Sequence, residues 1–368
     1  MNDAKNFLLK QGAGKRLLLA LSGGPDSMAL FYLLFELELP FAVCHINHGI
    51  REESPAEEEY VRKLCEEKGI PAWIERIFGI HDENGLRKAR RRIFYEICVR
   101  EKFDLVLLGH QREDQAETVL KRVLEGAGWT KFSGMKELTE REARPLLHTS
   151  KKEIYEYHKK AGTFFFEDRT NAEGGNLRSR MRCEIIPFLE TAFGKNPMEP
   201  LLRLSRRAAR FEEFIRDQIS AFPILENRYG FAWFDAEKAH PFLFEEAVRF
   251  LVNGRKLVIA EIQWDALQKG ALVQTKGWKA CIERGHFFFL DLREGPFVGG
   301  DGGWQKFFSP ERTLLGPSFP PVPLSTRHIS GKTLAEHYRI HGVPKFFRKV
   351  VGVELDKEKE VALRDYLT

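Results

Sequence analysis

Ser22-Gly23-Gly24-Pro25-Asp26-Ser27 puts two adjacent glycines, a carboxylate and two hydroxyls within six residues. Paired glycines let a backbone turn sharply and approach a ligand closely. An apolar run, Arg16 to Leu21, precedes the hexapeptide, and an amphipathic stretch, Met28 to Leu37, follows it. The order therefore reads as strand, tight turn, helix N-terminus. The first N–H groups of such a helix lack intrahelical partners and carry the positive end of its dipole. Together these features make an anion cradle suited to phosphates. Asp26 can hold a Mg2+ ion that offsets phosphate charge, while Ser22 and Ser27 can donate hydroxyl hydrogen bonds. The loop is not a Walker A, because it has no Gly-Lys-Ser/Thr ending. A Gly-Pro turn closing a βα unit is the plain alternative, and the surrounding elements weigh against it.

Two further stretches carry chemistry. His45-Ile46-Asn47-His48-Gly49-Ile50-Arg51 leaves an apolar run and places polar groups, His48 among them, where the ribose and base of a nucleotide on the loop would lie. Taken alone, it reads equally well as a polar strand-to-helix loop. Gly109-His110-Gln111-Arg112-Glu113-Asp114-Gln115-Ala116-Glu117-Thr118 opens a helix. His110 can steady a developing phosphate charge or move a proton. Asp114 can share a metal ion with Asp26. Acids near a helix N-terminus are also favoured by the dipole alone, which accounts for Glu113 and Glu117 but not for the whole pattern.

The elements that must position these groups alternate. Strands are expected at Arg16–Leu21, Phe41–Ile46, Pro71–Ile77 and Asp104–Gly109. Helices are expected at Asp26–Leu37, from Ser54 to Glu67, at Leu86–Glu101 and at Glu113–Leu124. Ser54-Pro55-Ala56-Glu57 is a capped helix start, and Gly69 ends that helix. Ser150 and Glu153 mark another such start, for a helix to Lys160. This βαβα order predicts an α/β fold, a Rossmann-like parallel sheet with helices on both faces. Ligands of such sheets bind beyond the carboxyl ends of the strands, where Ser22, His48 and His110 all fall. Gly194 to Pro197 is the expected domain break. A mainly helical pattern runs from Leu201 to about Lys269, followed by a strand-like piece, Trp278 to Leu292. Residues 294–331 read as linker and turns, and the tail opens with a helical stretch before Pro344. The aromatic runs Phe164-Phe165-Phe166 and Phe287-Phe288-Phe289 read as core strands.

At 368 residues, two or three domains are expected. The net charge of +5 permits a nucleic-acid partner without demanding one. Five scattered cysteines with no Cys-x-x-Cys read as reduced thiols. No signal-peptide core and no apolar run of membrane-spanning length is present, so a cytoplasmic protein with no membrane partner is expected. Arg87-Lys88-Ala89-Arg90-Arg91-Arg92 is dense enough to cover phosphates, and Arg203, Arg206, Arg207 and Arg210 recur at helical spacing. A solvated helix face is the plain alternative for both.

The hexapeptide resembles the pyrophosphate loop of the N-type ATP pyrophosphatases, which split ATP between the α and β phosphates. The longer pattern resembles the tRNA(Ile)-lysidine synthases. Family motifs match at residues 22–27, at His45 to Ser54, at His110 to Thr118, and at Gly126 to Met135 with Lys131 replacing a glycine. They continue through Arg144-Pro145-Leu146-Leu147, Asp168-Arg169-Thr170-Asn171, Arg178 to Arg182 and Ile186-Pro187. A fainter match lies at Val343-Pro344 and Arg348. The chain departs from the family at Gln111 (usually His), Glu113 (Asp), Glu125 (Arg), Ser179 (Asn) and Ile93 (Arg). Asp26, His110, Asp114, Arg144 and Asp168 all survive, as expected of a divergent active member.

The resemblance implies ATP and Mg2+ as cofactors, and two substrates: an isoleucine tRNA with a CAU anticodon, and free L-lysine. ATP would adenylate the C2 oxygen of the wobble cytidine, and the lysine ε-amine would then displace AMP to leave lysidine. It implies catalytic roles for Asp26, His110, Asp114 and Arg144. ATP contacts would come from Ser22 to Ser27 and His48, and a metal site from Asp26 and Asp114. Contacts to tRNA would come from Arg87, Lys88, Arg90, Arg91, Arg178, Arg182 and Arg206. Asp114, Glu117 or Asp168 would hold the charged ends of lysine. The implied domains are a catalytic one at 1–195, a mainly helical tRNA-binding one at 196–293, and a linker with a small C-terminal tRNA-binding domain at 294–368. A homodimer is compatible with the family, and no interface for one is legible. A tRNA thiolase of the same superfamily is the competing enzyme, disfavoured by the absent cysteine pair. A tRNA-binding pseudoenzyme is the non-catalytic competitor, supported only by the departures.

Overall fold

The computed structural model describes residues 1–47, 54–80, 82–167, 177–220, 225–226, 231–235, 240–283, 286–291 and 293, with short tail strands at 328–329, 332–333, 354–356 and 359–361. His48, Asp168 to Asn171, Val343, Pro344 and Arg348, and with them the expected helix before Pro344, lie outside the described residues. The chain divides into two compact units, Met1–Glu212 and Glu213–Thr368.

In the first unit, strands β1 (Leu17–Ala20), β2 (Phe41–Asn47), β3 (Ala72–Arg76), β4 (Leu105–Leu107) and β5 (Glu142–Ala143) form one parallel sheet in the order β3-β2-β1-β4-β5. The central strand is apolar throughout: Leu17, Leu18 and Leu19 are fully buried, because helices cover both faces. On one face Leu17 and Leu19 meet α2 (Pro25–Glu36) through Met28, Phe31 and Leu34. On the other face Leu18 joins Ile97 and Cys98 of α4 (Glu83–Glu101). Helix α1 (Asn2–Gly12) precedes β1, and α3 (Ser54–Lys68) links β2 to β3, ending at Gly69 with φ +65°. The parallel sheet and its helix alternation are as the sequence predicts.

The order reverses at β1: chain growth runs outward through β2 and β3, then returns to β4 on the other side. This switch point opens a crevice at the carboxyl ends of β1 and β4. Helix α5 (Arg112–Leu124) leaves β4 there. Helix α6 (Lys151–Ala161) has the predicted capping box, with the Ser150 hydroxyl on the Glu153 N–H at 3.2 Å and the Glu153 carboxylate on the Ser150 N–H at 2.9 Å. Short helices α7 (Leu177–Arg180) and α8 (Ile186–Phe193) flank a π-helical turn, Met181–Ile185. Helix α9 (Met198–Ser220) begins in the first unit.

Residues 164–166 do not form a strand. Phe164 is 51% exposed, and Phe164 and Phe166 set their rings against Tyr60 while Phe165 lies on His158. The reason is local: the Phe166 N–H is used by Gly23 O at 2.9 Å instead of a sheet ladder.

The second unit has helices α10 (Pro241–Gly254) and α11 (Glu261–Gln268) and a five-stranded antiparallel sheet. Its strands are β6 (Leu225–Glu226), β7 (Phe231–Asp235), β8 (Val273–Gln274), β9 (Trp278–Glu283) and β10 (His286–Asp291), in the order β6-β7-β10-β9-β8. The continuous helical pattern expected over 201–269 is thus interrupted by β6 and β7, which pair with each other, and β7 pairs in turn with the later β10. Phe287 and Phe289 are fully buried against Trp278 and Phe244, as expected of a core strand. The tail contributes two hairpins, His328–Ile329 with Lys332–Thr333 and Glu354–Asp356 with Lys359–Val361.

Candidate active site

The loop after β1 is shaped by its own hydroxyls. Ser27, 4% exposed, donates to Gly24 O at 3.1 Å and accepts the Ser22 N–H at 3.2 Å. The Ser22 hydroxyl lies 3.0 Å from that of Ser27 and is exposed. Ser27 therefore builds the loop, while Ser22 stands at its open side. Gly23 has φ +87°, a conformation that disfavours any side chain. Gly24 precedes α2 and Pro25 is its first residue, where a missing N–H costs nothing.

Gly109 brings the end of β4 against this turn. A Cβ there would stand 3.1 Å from Ser27 N and 3.2 Å from the Asp26 carbonyl carbon, so a side chain would push the turn back by a few tenths of an ångström. The spacing of the glycines after β1 points to a phosphate loop; nothing but its place at a strand end marks Gly109.

Five buried side-chain polar atoms lack a partner among the described residues, and four belong to predicted site residues or their neighbours: Asp26 Oδ1, His110 Nδ1, Glu117 Oε2 and Arg144 Nε. Buried polar groups are nearly always satisfied, so such a concentration marks a place built for something else to bind. Burial, then the nearby Asp114 carboxylate, pushes Asp26 up to about 7. Burial pushes His110 down to about 4; the Arg144, Arg178 and Arg87 charges add to this, and Asp114 opposes it. Four predicted residues therefore share one field around His110.

Asp114 and Glu117, one helical turn apart on α5, are held by Arg182 from the π-helical turn. The guanidinium Nη2 donates to Asp114 Oδ1 and Nε to Glu117 Oε1. Arg182, expected among the tRNA contacts, thus lies against the carboxylates of the crevice. Arg144 is 5% exposed and donates to Lys136 O at 2.8 Å and to Glu142. The same Glu142 takes a two-pronged bond from Arg91, both arms at 2.8 Å. Arg87, Lys88 and Arg90 are exposed on α4, and Arg206 is exposed on α9.

Three of the five departures from the family pattern, at Gln111, Glu113 and Glu125, make local contacts. Gln111 is the N-cap of α5: its side chain accepts the Glu113 N–H at 2.7 Å, while Asp114 Oδ2 accepts the Gln111 N–H at 3.0 Å. Glu113, one methylene longer than Asp, reaches the first N–H of α6 at Lys151, 3.0 Å away. Glu125 pairs with Lys121 at 3.8 Å. Ser179 is buried. None of these changes adds a charge to the crevice.

Sequence reasoning missed two supports. Gln115 accepts the Met135 N–H at 2.7 Å and donates to Ser133 O and Met135 O, each at 3.1 Å, which pins the glycine-rich segment beside α5. Glu58 binds Asn47 at 2.9 Å and Arg76 at 2.9 and 3.1 Å, tying the ends of β2 and β3 to α3. Neither has a signal in spacing, since both are made by contacts distant in sequence.

A magnesium ion is tested by the donors present. Among the described residues no group of three or more His, Cys, Asp or Glu is placed to hold a metal by itself. Asp26 has an unsatisfied oxygen and a repelling carboxylate nearby, which a cation would relieve. Mg2+ is commonly held by one or two carboxylates, with phosphates and water completing its shell, so Asp26 fits the ion; Asp114, whose two oxygens accept from Arg182 and from the Gln111 N–H, would be the second carboxylate by sharing one of them.

A phosphate-type loop at the switch point of a parallel sheet, with a half-buried histidine and paired acids beside it, defines a nucleotide-using α/β protein. Residues 2–189 match the family model described as the PP-loop domain. The whole chain is 34% identical to a tRNA(Ile)-lysidine synthase of Protochlamydia amoebophila, spanning 92% of that protein. Over 58% of the chain it is 40% identical to the tRNA(Ile)-lysidine synthase of Chlamydia caviae, covering 69% of it. The chain belongs to the tRNA(Ile)-lysidine synthase family, within the ATP-using PP-loop proteins. Among solved structures, a U34-tRNA thiolase of Methanococcus maripaludis with its [4Fe-4S] cluster superposes on 58% of this chain and 79% of its own, at TM-score 0.45 and 20% identity.

Proposed function

We propose that the protein joins free L-lysine to C2 of the wobble cytidine in the CAU anticodon of an isoleucine tRNA, using ATP and releasing pyrophosphate and AMP. The observation that carries the nucleotide half is the Gly109-backed loop with the unsatisfied Asp26 oxygen beside Asp114. Family membership supports the tRNA and lysine half.

In the first step the cytidine C2 oxygen attacks the α-phosphorus, and the bond to the β-phosphate oxygen breaks. N–H groups at the start of α2, with the Ser22 hydroxyl, hold the phosphates. Asp26 and Asp114 would hold Mg2+, which supplies positive charge against the phosphates. Arg144, whose Nε has no partner among the described residues, faces the developing charge with His110. His110, neutral at physiological pH, donates or accepts a hydrogen bond there. In the second step the lysine amine attacks C2 and AMP leaves. Asp114, Glu117 or Asp168 receives the charged ends of lysine; Arg182 satisfies one oxygen of each of the first two, the Gln111 N–H donates to the other oxygen of Asp114, and Glu117 Oε2 has no partner among the described residues.

Residues 1–195 make the catalytic domain in this reading, and 196–293 and 294–368 meet the tRNA. A cytoplasmic location and a homodimer belong to the same proposal. The competing thiolase chemistry finds little support in the thiols: Cys44, Cys65, Cys98 and Cys281 are buried, and Cys183 alone is exposed.

The test is incubation with ATP, Mg2+, labelled lysine and unmodified CAU-anticodon isoleucine tRNA, with methionine tRNA as control. Label entering only the isoleucine tRNA supports the proposal; no label despite tRNA binding rejects it.

A further inference from the structure

Helix α6 touches both loops of the site. At its first residue, Lys151, the N–H is held by Glu113 of the His110–Asp114 segment at 3.0 Å. Near its other end His158 is 3% exposed, and its Nε2 lies 2.8 Å from the carbonyl oxygen of Pro25, the first residue of α2. A carbonyl can only accept, so Nε2 carries the hydrogen and Nδ1 accepts from the Thr163 hydroxyl at 2.7 Å. Burial holds the imidazole below its ordinary range, which keeps this neutral form, although the Pro25 bond works the other way. The chain leaves α6 through Gly162, at φ +62°, and lays the Phe166 N–H on Gly23 O at 2.9 Å. The Phe165 ring packs on His158 with centroids 4.5 Å apart.

The phosphate loop is therefore gripped by two of its carbonyls, Gly23 and Pro25. In a trans peptide the carbonyl and the following N–H point in opposite directions. Holding Gly23 O sets the direction of the Gly24 N–H, and holding Pro25 O sets that of the Asp26 N–H. Both lie at the start of α2, where the proposed cradle would take phosphate: the Gly24 N–H is directed at the Ser22 hydroxyl 3.4 Å away, and the second belongs to Asp26, whose carboxylate feels that of Asp114.

We propose that His158 is a positioning residue for the reaction. It holds the Pro25 peptide, and so the Asp26 N–H and side chain, at a fixed place. Through α6 and the Glu113–Lys151 bond it keeps that place in register with His110 and Asp114. The inference rests on the reading that the loop takes ATP.

The experiment compares His158→Leu, which removes both bonds, with His158→Gln, whose amide can supply a donor near the Nε2 position. For each protein, ATP binding is measured by equilibrium dialysis, tRNA affinity by filter binding, thermal stability by melting, and kcat and KM for ATP by tRNA-dependent ATP–pyrophosphate exchange. His158→Leu is expected to lose about tenfold or more in kcat, the scale of a sub-ångström misplacement. Its tRNA affinity should stay unchanged, and His158→Gln should recover most of the loss. Wild-type kcat and KM in His158→Leu would overturn the proposal, as would equal losses in both variants that simply follow melting temperature. Failure of the wild-type protein to bind ATP overturns the underlying reading, and the positioning role with it; normal ATP binding there isolates the result to His158. Should His158→Leu not fold, Thr163→Val removes only the hydroxyl that fixes the ring tautomer. It is expected to lower kcat to a smaller extent, and an unchanged kcat in that variant overturns the role.

Discussion

Gly109 and Ser27 are in backbone contact: a Cβ on Gly109 would lie 3.1 Å from Ser27 N. The neighbour is main chain, not the end of a flexible side chain, so it cannot swing aside. Gly109→Ala should shift the first turn of α2 by a few tenths of an ångström and lower ATP–pyrophosphate exchange by about tenfold or more. Far-ultraviolet circular dichroism should stay unchanged, because β4 and α5 keep their own contacts. Exchange at the wild-type rate would show that the loop tolerates the shift.

Asp26 pairs an unsatisfied oxygen with a carboxylate neighbour, which is the ground for assigning it to the metal. Asp26→Ala should abolish adenylation while leaving tRNA binding nearly intact, since the basic residues of α4 and α9 are untouched. An Asp26→Ala protein that turns over normally would remove the metal role.

How much of this was legible differs by element. The parallel sheet was, because fully apolar strands such as Leu17–Leu19 alternate with amphipathic helices, and that pattern has one common solution. The phosphate loop and the His110–Asp114 segment were, because their chemistry is local in sequence. The place of Arg182 was not: the resemblance put it among the tRNA contacts, and only the π-helical turn brings it to Asp114 and Glu117. The Phe164–Phe166 run was misread because three aromatics in a row satisfy a strand pattern equally well. Its backbone partner, Gly23, is more than 140 residues earlier in the chain. His158 has no sequence signal, since a lone histidine on an amphipathic helix reads as an ordinary core or surface residue.

Glu58 ties the functional ends of β2 and β3 to α3 and gives a pH signature. Hydrogen bonds from Arg76 and Asn47 hold its carboxyl down to about 2, from an ordinary 4.5. A carboxylate with a depressed folded value contributes stability above its unfolded value, and that contribution is lost as pH falls toward the folded one. The melting temperature of the wild-type protein should therefore drop between about pH 4.5 and pH 2. Glu58→Gln should melt lower at pH 7 and show a flatter slope within that window. Parallel slopes for the two proteins would remove Glu58 from the account of acid stability.

The basic residues of α4 are not equivalent. Lys88 is exposed, whereas Arg91 is committed to Glu142 by two bonds of 2.8 Å, and Glu142 also holds Arg144. A side chain that meets phosphate in solution releases counterions, so removing it lowers the salt slope of binding by about 0.7 to 0.9 per contact. Lys88→Ala should show that loss of slope with little change in turnover of bound tRNA. Arg91→Ala should show the reverse: a smaller change in slope and a fall in kcat, because Glu142 then redistributes toward Arg144 and moves it relative to His110. The comparison is made by filter binding across a salt series and by single-turnover adenylation. Equal slope changes with no loss of turnover would place Arg91 on the RNA and remove the Arg91–Glu142–Arg144 chain from the mechanism.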